Sequence, residues 1–338
     1  MSTPLNVALL GFGLSGRYLQ GPFYRAHAGF RVSRVVSSRA GELAEDFPGI
    51  APTGSVEEAL TDPAVDLVSI ATPNLTHYTY ARAALEAGKH VLVDKPACAT
   101  AAELRELRDL AARKRRHLFV FQNRRWDSDF LTVRQLLGSN PLGTLVSYEA
   151  RYDRYKPAPN PKQWKETPGS TAGMLYDLGS HLIDQAICLF GRPRDVSGSS
   201  WTEREDSDIA DAFRLQLVYG APLRVHLSCS LLVREPTPRY RLHGRRGSFV
   251  KYGIDVQEDQ LRAGIEPSAP GFGEEPQDQA GVLHTELNGL VSRGQVTTLP
   301  GRWMALFDNM HAVIAKGAAP AIPLEEVALQ LEIMEAVR

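Results

Sequence analysis

The sequence LNVALLGFGLSG (residues 5–16) joins a short apolar run to a GxGxxG motif and decides how the first half of the chain folds. The apolar run predicts a buried strand, and a helical pattern follows the motif. In that setting the first glycine permits a tight turn, the second lets the backbone approach a pyrophosphate, and the third allows close helix–strand packing. A glycine-rich turn without a ligand is the alternative. We predict that the following residues bind a dinucleotide: Gly11, Phe12, Gly13, Leu14, Ser15 and Gly16.

Strand and helix patterns alternate over the next hundred residues. Two of the helical patterns begin with the capping-box spacing, Ser55 with Glu58 and Thr100 with Glu103. The strand-like segments are residues 30–37, 67–71, 90–93 and 118–121. This alternation predicts an α/β fold, a Rossmann doubly wound parallel sheet with helices on both faces, over residues 1–122.

The hexapeptide VLVDKP (residues 91–96) ends one of these strands. Ligands of open parallel sheets bind at the carboxyl ends of the strands, so we expect Lys95 to face the ligand. Pro96 fixes its own φ and removes a backbone donor at that point. A surface lysine that opens a loop is the alternative.

The end of the second strand indicates which cofactor is bound. An NAD enzyme carries an acid about twenty residues past the glycines, where it holds the ribose 2′-hydroxyl. This chain has Ser37, Ser38 and Arg39 there. Two hydroxyls and a guanidinium suit a 2′-phosphate, since arginine pairs with phosphate through two parallel hydrogen bonds. We predict NADP rather than NAD, with a surface role for Arg39 as the alternative.

The pattern changes in the second half of the chain. Apolar and polar residues alternate over residues 146–153, 213–219 and 223–227, as is typical of an antiparallel sheet with one covered and one more polar face. Two helical patterns, 302–317 and 324–337, close the chain. We assign residues 123–338 to a second, α+β domain with a largely antiparallel, open-faced sheet.

Ionisable residues are concentrated in the sequence LYDLGSHLIDQ (residues 175–185). In a helix, Asp177, His181 and Asp184 lie at i, i+4 and i+7, on one face. A carboxylate one turn before an imidazole can orient it and raise its pKa, which suits acid–base catalysis. A self-contained structural cluster is an equal alternative. A metal site is less favoured, because no third nitrogen or sulfur ligand lies nearby and there is no HExxH motif.

The composition excludes several classes of protein. With 338 residues, two domains are expected. Lysine and arginine number 38 against 39 acids, a net charge of −1 that gives no general attraction to nucleic acid or anionic membrane. Three scattered cysteines indicate a reducing compartment rather than a disulfide framework. Because the sequence shows neither a basic leader pattern nor an apolar run of bilayer length, we expect a cytoplasmic protein.

Several motifs together resemble the Gfo/Idh/MocA oxidoreductase family. They are GFGLSG (11–16), ATPNLTH (71–77), DKP (94–96, where the family commonly has EKP) and DLGSHLID (177–184). The resemblance covers essentially the whole chain. Three further stretches, 122–132, 152–165 and 243–264, resemble the branch of the family with NADP-dependent scyllo-inositol 2-dehydrogenase activity.

The resemblance implies roles for particular residues. Lys95, Asp177 and His181 would form a catalytic Lys-Asp-His set. The family's lysine–proline bond is commonly cis, and its open sheet face often forms a homodimer or homotetramer interface. Further cofactor-binding positions would be Thr72, Pro73, Asn74, His77, Lys95 and Asn123. Substrate hydroxyls need polar and aromatic neighbours, and the candidates are Lys95, Arg125, Trp126, Asp127, Tyr152, Tyr155, Trp164, Asp177 and His181. Trp126 as a core residue and Arg125 as a salt-bridge partner are alternatives.

The function that the resemblance implies is reversible oxidation of a cyclic polyol or sugar, with scyllo-inositol first. NADP would accept the hydride. His181 would remove the hydroxyl proton, Asp177 would hold its tautomer, and Lys95 would polarise the oxygen or relay the proton. Two alternatives are a dehydrogenase of the same family for another sugar or inositol, and a non-catalytic NADP-binding sensor.

Overall fold

The computed structural model describes residues 3–50, 52–161, 166–169 and 171–337. The chain divides into two compact units. The first consists of Met1–Asn123, Gln257–Phe272 and Trp303–Ala328, and the second of Arg124–Val256, Gly273–Arg302 and Leu329–Arg338. The domain boundary expected between residues 122 and 123 stays a prediction.

The first unit is built on a parallel sheet. Its strands are β1 (Leu5–Leu10), β2 (Phe30–Val36), β3 (Pro52–Thr53), β4 (Leu67–Ile70), β5 (His90–Val93) and β6 (Leu118–Val120). They lie in the order β3-β2-β1-β4-β5-β6, and every neighbouring pair is parallel. This is the Rossmann order, so that prediction is confirmed. The strand order reverses between β1 and β4, which is where such folds bind their ligands.

The α-helices with described ends include those that the sequence patterns predicted and two that they did not, at residues 40–46 and 257–262. In chain order they are α1 (Gly21–Ala26), α2 (Ala40–Asp46), α3 (Val56–Thr61), α4 (His77–Glu86), α5 (Ala101–Lys114), α6 (Ser128–Ser139), α7 (Ser180–Phe190), α8 (Gln257–Arg262), α9 (Met304–Lys316) and α10 (Leu324–Ala336). None of the helices in the described part of the chain has the length and apolar character needed to cross a membrane.

One of the two predicted capping boxes is complete. At α5 the Thr100 hydroxyl accepts from the Glu103 amide, and the Glu103 carboxylate accepts from the Thr100 amide. At α3 the Ser55 hydroxyl accepts from the Glu58 amide at 3.3 Å, but the Glu58 carboxylate accepts from the Thr53 hydroxyl. Only half of that box forms, because the nearby hydroxyl takes the carboxylate.

Aromatic side chains hold α1 and α9 together within the first unit. Phe23 of α1 stacks on Phe307 of α9 with ring centroids 5.0 Å apart, and the Tyr24 ring meets Phe307 edge-on at 5.1 Å. All three side chains are buried, as is Trp303 just before α9. The predicted closing helix over residues 302–317 therefore completes the core of the first unit.

The second unit contains the predicted open-faced sheet. Its strands are β7 (Leu145–Arg151), β8 (Asp195–Trp201), β9 (Ala212–Val218), β10 (Arg224–Ser230), β11 (Tyr240–Gly244), β12 (Gly247–Lys251), β13 (Gly281–Leu287) and β14 (Leu290–Val296). They lie in the order β14-β13-β12-β11-β7-β10-β9-β8, and all pairs are antiparallel except β7 with β10. On β10, Val225, Leu227 and Cys229 are buried, while His226 and Ser228 between them are only half-buried. The largely antiparallel sheet with one covered face is confirmed.

Candidate functional site

The glycine turn of the first unit has the shape that a pyrophosphate requires. Gly11 has φ +93°, and a Cβ there would come within 2.7 Å of the Ala71 carbonyl oxygen. A Cβ at Gly16 would overlap the Gly11 carbonyl oxygen. At Gly13, by contrast, no atom of the described residues lies within 4 Å of the Cβ position. Gly11 and Gly16 therefore let the turn close, and Gly13 leaves bare backbone that a dinucleotide can approach.

The segment after the turn differs from the expected α-helix. Leu14–Gln20 is a π-helix, and α1 begins at Gly21. The Gly21 amide donates to the Gly16 carbonyl, five residues back, and Pro22 has no amide with which to continue an α-helical ladder. Phe12 is buried, and its ring packs edge-on against Phe47.

A guanidinium lies just past the end of β2, at the predicted cofactor-selecting position. The Arg39 amide donates to the Ser37 hydroxyl at 3.0 Å. The Arg39 side chain is 52% exposed and contacts the Glu42 carboxylate at 3.3 Å. That carboxylate also accepts from Arg17 at 2.7 Å. Exposed ion pairs are weak, so the Arg39 guanidinium is available to an incoming phosphate.

The loops after β4 and β5 are joined by a buried histidine. The His77 Nδ1 lies 2.8 Å from the Pro96 carbonyl oxygen, and its Nε2 lies 2.9 Å from the Thr72 carbonyl oxygen. The side chain is fully buried. Both ring nitrogens therefore contact backbone, and His77 links the Thr72 carbonyl to the carbonyl of Pro96, the residue that follows the cis Lys95–Pro96 bond.

Thr72, Pro73 and Asn74 form the loop that His77 supports. The Thr72 and Thr76 hydroxyls lie 2.7 Å apart, and Thr76 also donates to the Pro73 carbonyl. In the next loop the Lys95 side chain is half-buried, and its amide donates to the Asp94 carboxylate at 2.7 Å. Asn123, predicted as a cofactor contact, is buried.

The second unit carries the predicted histidine and acids on consecutive helical segments. A π-helical turn, Leu175–Gly179, contains Asp177, and α7 follows directly with His181 in its first turn. Asp177 is half-buried and His181 is buried. The Tyr152 ring meets the His181 ring edge-on at 6.5 Å. The expected single α-helix is therefore wrong for residues 175–179, whereas the α-helical spacing holds from Ser180 onward.

Asp184, the third member of the predicted stripe, has a partner of opposite charge. Arg125 donates to its carboxylate through Nε at 2.8 Å and Nη2 at 2.7 Å. Both side chains are nearly fully buried, at 4% and 2% exposure. This is the salt-bridge alternative left open for Arg125. A side chain held in this way supports the fold of α7.

Beneath Tyr152 lies a buried polar cluster that sequence reasoning missed. The Arg239 guanidinium lies 3.8 Å from the Tyr152 ring centroid and donates to Asp129 and to Gln185. The Gln185 amide in turn donates to the Arg124 carbonyl at 2.8 Å. The available signal was a charged residue, Arg239, directly before an alternating strand, but its partners lie 54 and 110 positions away.

The remaining substrate candidates are distributed over the second unit. Asp127 is buried, 3.3 Å from Arg124 Nη1 and 3.5 Å from the Tyr152 hydroxyl, and Trp126 is half-buried. Tyr155 is exposed, and Arg234 lies over its ring at 4.0 Å. Trp164 lies outside the described residues. Within those residues, no group of three or more histidines, cysteines and acids is arranged to hold a metal ion.

Burial controls the chemistry of the Tyr152 hydroxyl. It raises the pKa of Tyr152 to about 12, with the nearby acids Asp127 and Asp129 adding to the rise and Arg239 and Arg124 opposing it. The hydroxyl therefore stays protonated at working pH. It can donate a hydrogen bond but cannot act as a base.

Two family models match the two halves of the chain. The model for the oxidoreductase family with an NAD-binding Rossmann fold matches residues 5–122, and the GFO/IDH/MocA C-terminal domain matches residues 130–250. The chain belongs to the Gfo/Idh/MocA family. The resemblance noted in the sequence is thereby confirmed, and the protein is a member of an oxidoreductase family.

Relatives of this Gfo/Idh/MocA protein align over nearly its whole length. It is 37% identical to scyllo-inositol 2-dehydrogenase (NADP(+)) IolW of Bacillus subtilis, with 98% of this chain and 92% of the relative covered. It is also 37% identical to the oxidoreductase YhhX of Escherichia coli, with 98% and 95% covered. Among solved structures, the oxidoreductase yvaA of Bacillus subtilis superposes with a TM-score of 0.96, 37% identity and coverage of 99% and 95%.

Proposed function

We propose that this Gfo/Idh/MocA protein is an NADP-dependent dehydrogenase that reversibly oxidises a cyclic polyol or sugar, with scyllo-inositol as the first candidate. The proposal of NADP as cofactor rests on Arg39, whose half-exposed guanidinium lies past the end of β2, where an NAD enzyme carries an acid. The substrate half is supported by 37% identity over 98% of the chain to a relative named scyllo-inositol 2-dehydrogenase (NADP(+)).

The dinucleotide would be held by the first unit. Gly11, Gly13 and Gly16 would shape the pyrophosphate turn, with Phe12, Leu14 and Ser15 contributing backbone or side chain. The 2′-phosphate would meet Ser37, Ser38 and Arg39. Thr72, Pro73, Asn74, Lys95 and Asn123 would complete the site, and His77 is reassigned to a supporting role because its ring nitrogens contact backbone carbonyls.

In the proposed reaction NADP supplies the hydride acceptor. His181 takes the proton of the substrate hydroxyl, since an imidazole titrates near working pH. Asp177 orients that imidazole, and the Lys95 ammonium polarises the substrate oxygen. Tyr152, kept protonated by burial, donates its proton toward the Asp127 carboxylate, and its hydroxyl oxygen would accept a hydrogen bond from a substrate hydroxyl. The candidates Trp126, Asp127, Tyr155 and Trp164 would bind the rest of the polyol, and Arg125 would hold α7 through Asp184. We propose that the protein works as a cytoplasmic homodimer or homotetramer.

A substrate panel tests this proposal. The purified protein is assayed by NADPH fluorescence with scyllo-inositol, myo-inositol, glucose and other aldoses, each with NADP⁺ and with NAD⁺. We expect the highest kcat/KM for scyllo-inositol with NADP⁺. Turnover of another sugar instead would change the proposed substrate but support the proposed dehydrogenase activity. NADPH binding without turnover of any polyol would refute the enzyme and favour a sensor.

A further inference from the structure

A chain of buried hydrogen bonds runs from the core of the first unit to the glycine turn. The Tyr24 hydroxyl donates to the Ser69 hydroxyl at 2.8 Å, and Ser69 donates to Gln20 Oε1 at 2.6 Å. The Gln20 Nε2 then donates to the Ser15 hydroxyl at 3.1 Å. Tyr24, Ser69 and Gln20 are buried, whereas Ser15 is half-exposed within the GFGLSG motif.

The π-helix after the turn makes the last of these bonds possible. In an α-helix, side chains three or four residues apart are neighbours, and those five apart are not. Ser15 and Gln20 are five apart, and they lie in the segment whose amide-to-carbonyl bond also spans five residues, from Gly21 to Gly16. A Cβ at Gly21 would come within 2.9 Å of the Gly16 carbonyl oxygen, so this tight junction suits glycine.

In this series of hydrogen bonds, the donor and the acceptor of each bond follow from the Tyr24 hydroxyl. A fully buried phenol has to donate its proton, and burial raises the pKa of Tyr24, so it stays a donor. Ser69 accepts that proton and must donate its own to the Gln20 oxygen. The Gln20 amide nitrogen is therefore turned toward Ser15, whose oxygen accepts. The Ser15 hydroxyl proton is left to be donated outward.

We propose that Gln20 is a positioning residue for the dinucleotide, which holds Ser15 so that its hydroxyl donates to the cofactor pyrophosphate. Gln20 itself does not touch the cofactor. The inference rests on the proposed dinucleotide binding and adds a side chain to a contact otherwise made by backbone. A hydroxyl already oriented by a buried amide loses less rotational freedom on binding than a free one, which favours affinity.

A double-mutant cycle on the full-length protein tests the proposal. NADPH affinity is measured by calorimetry for the wild type, Ser15→Ala, Gln20→Met and the double variant. We expect about tenfold weaker binding for Ser15→Ala, because a hydrogen bond to a charged group is lost. Gln20→Met should weaken binding about threefold to tenfold by the same mechanism. The double variant should bind no more weakly than Ser15→Ala alone.

Two controls separate positioning from a general loss of structure. Adenosine 2′-monophosphate carries the 2′-phosphate but no pyrophosphate, so its Kd should be unchanged in every variant. Ser69→Ala cuts the same chain with a smaller change of volume, and its effect on NADPH binding should likewise vanish in the Ser15→Ala background. It keeps the test usable if Gln20→Met fails to fold.

Two outcomes would overturn this inference, and a different one would refute the proposed function. The inference would be overturned if Gln20→Met weakened NADPH binding equally in the wild-type and Ser15→Ala backgrounds. It would also be overturned if Ser15→Ala kept the wild-type NADPH affinity. Both outcomes leave the proposed dehydrogenase intact, because the wild type still binds NADPH. If the wild type bound neither NADPH nor NADH, the proposed function itself would be refuted.

Discussion

Replacing Asp184 by asparagine should destabilise the second unit strongly. The variant keeps the shape of the side chain but removes the charge that faces Arg125. That pair is bidentate, at 2.8 and 2.7 Å, and its side chains are only 4% and 2% exposed. Leaving one partner of a buried pair uncompensated costs about 3–5 kcal/mol. For a domain of about 150–250 residues, this lowers the unfolding temperature by roughly 6–20 °C.

The same experiment decides whether Arg125 supports the fold or binds substrate. Thermal and denaturant unfolding are measured for Asp184→Asn and for the matched double variant Arg125→Met/Asp184→Leu. The double variant should recover most of the lost stability, because an apolar pair of similar volume replaces a buried ion pair at little cost. It should also keep the wild-type KM for the polyol. A free energy of unfolding for Asp184→Asn within about 1 kcal/mol of the wild type would refute the structural role of this ion pair. So would a loss of substrate affinity in the stable double variant.

Three further predictions address the cofactor and the chemistry. Arg39→Ala should lower kcat/KM for NADPH about tenfold to a hundredfold, because charge-assisted hydrogen bonds are lost, and should leave kcat/KM for NADH unchanged. An unchanged ratio of the two kcat/KM values would show that Arg39 does not select the cofactor. His181→Ala should lower kcat by about two to four orders of magnitude in the fluorescence assay, and near-normal turnover would remove His181 from the mechanism. Gly13→Ala should keep the wild-type unfolding temperature but weaken NADPH binding. Gly16→Ala should lower the unfolding temperature, because its Cβ would meet the Gly11 carbonyl. Equal unfolding temperatures for the two variants would contradict this prediction.

The first unit was the more predictable half, because its signals are local. The apolar run before GFGLSG and the β–α alternation depend on neighbours within a few residues, and so does the capping box at Thr100. The π-helix after the glycine turn was not predictable from such patterns. It is followed by Pro22, which lacks an amide, and its last residue, Gln20, bonds to Ser69 of β4, 49 positions away.

In the second unit, helical spacing placed His181 and Asp184 in one α-helix but did not show which side chains are already paired. Asp177 lies in the preceding π-helical turn, where the α-helical spacing does not apply. Arg125, which neutralises Asp184, lies 59 positions away in sequence, and periodicity says nothing about it. Buried charges have to be paired, and a pairing of this kind is read from contacts distant in sequence. The choice between a structural cluster and a catalytic one therefore has to be made residue by residue, and for Asp184 the bidentate contact with Arg125 favours the structural role.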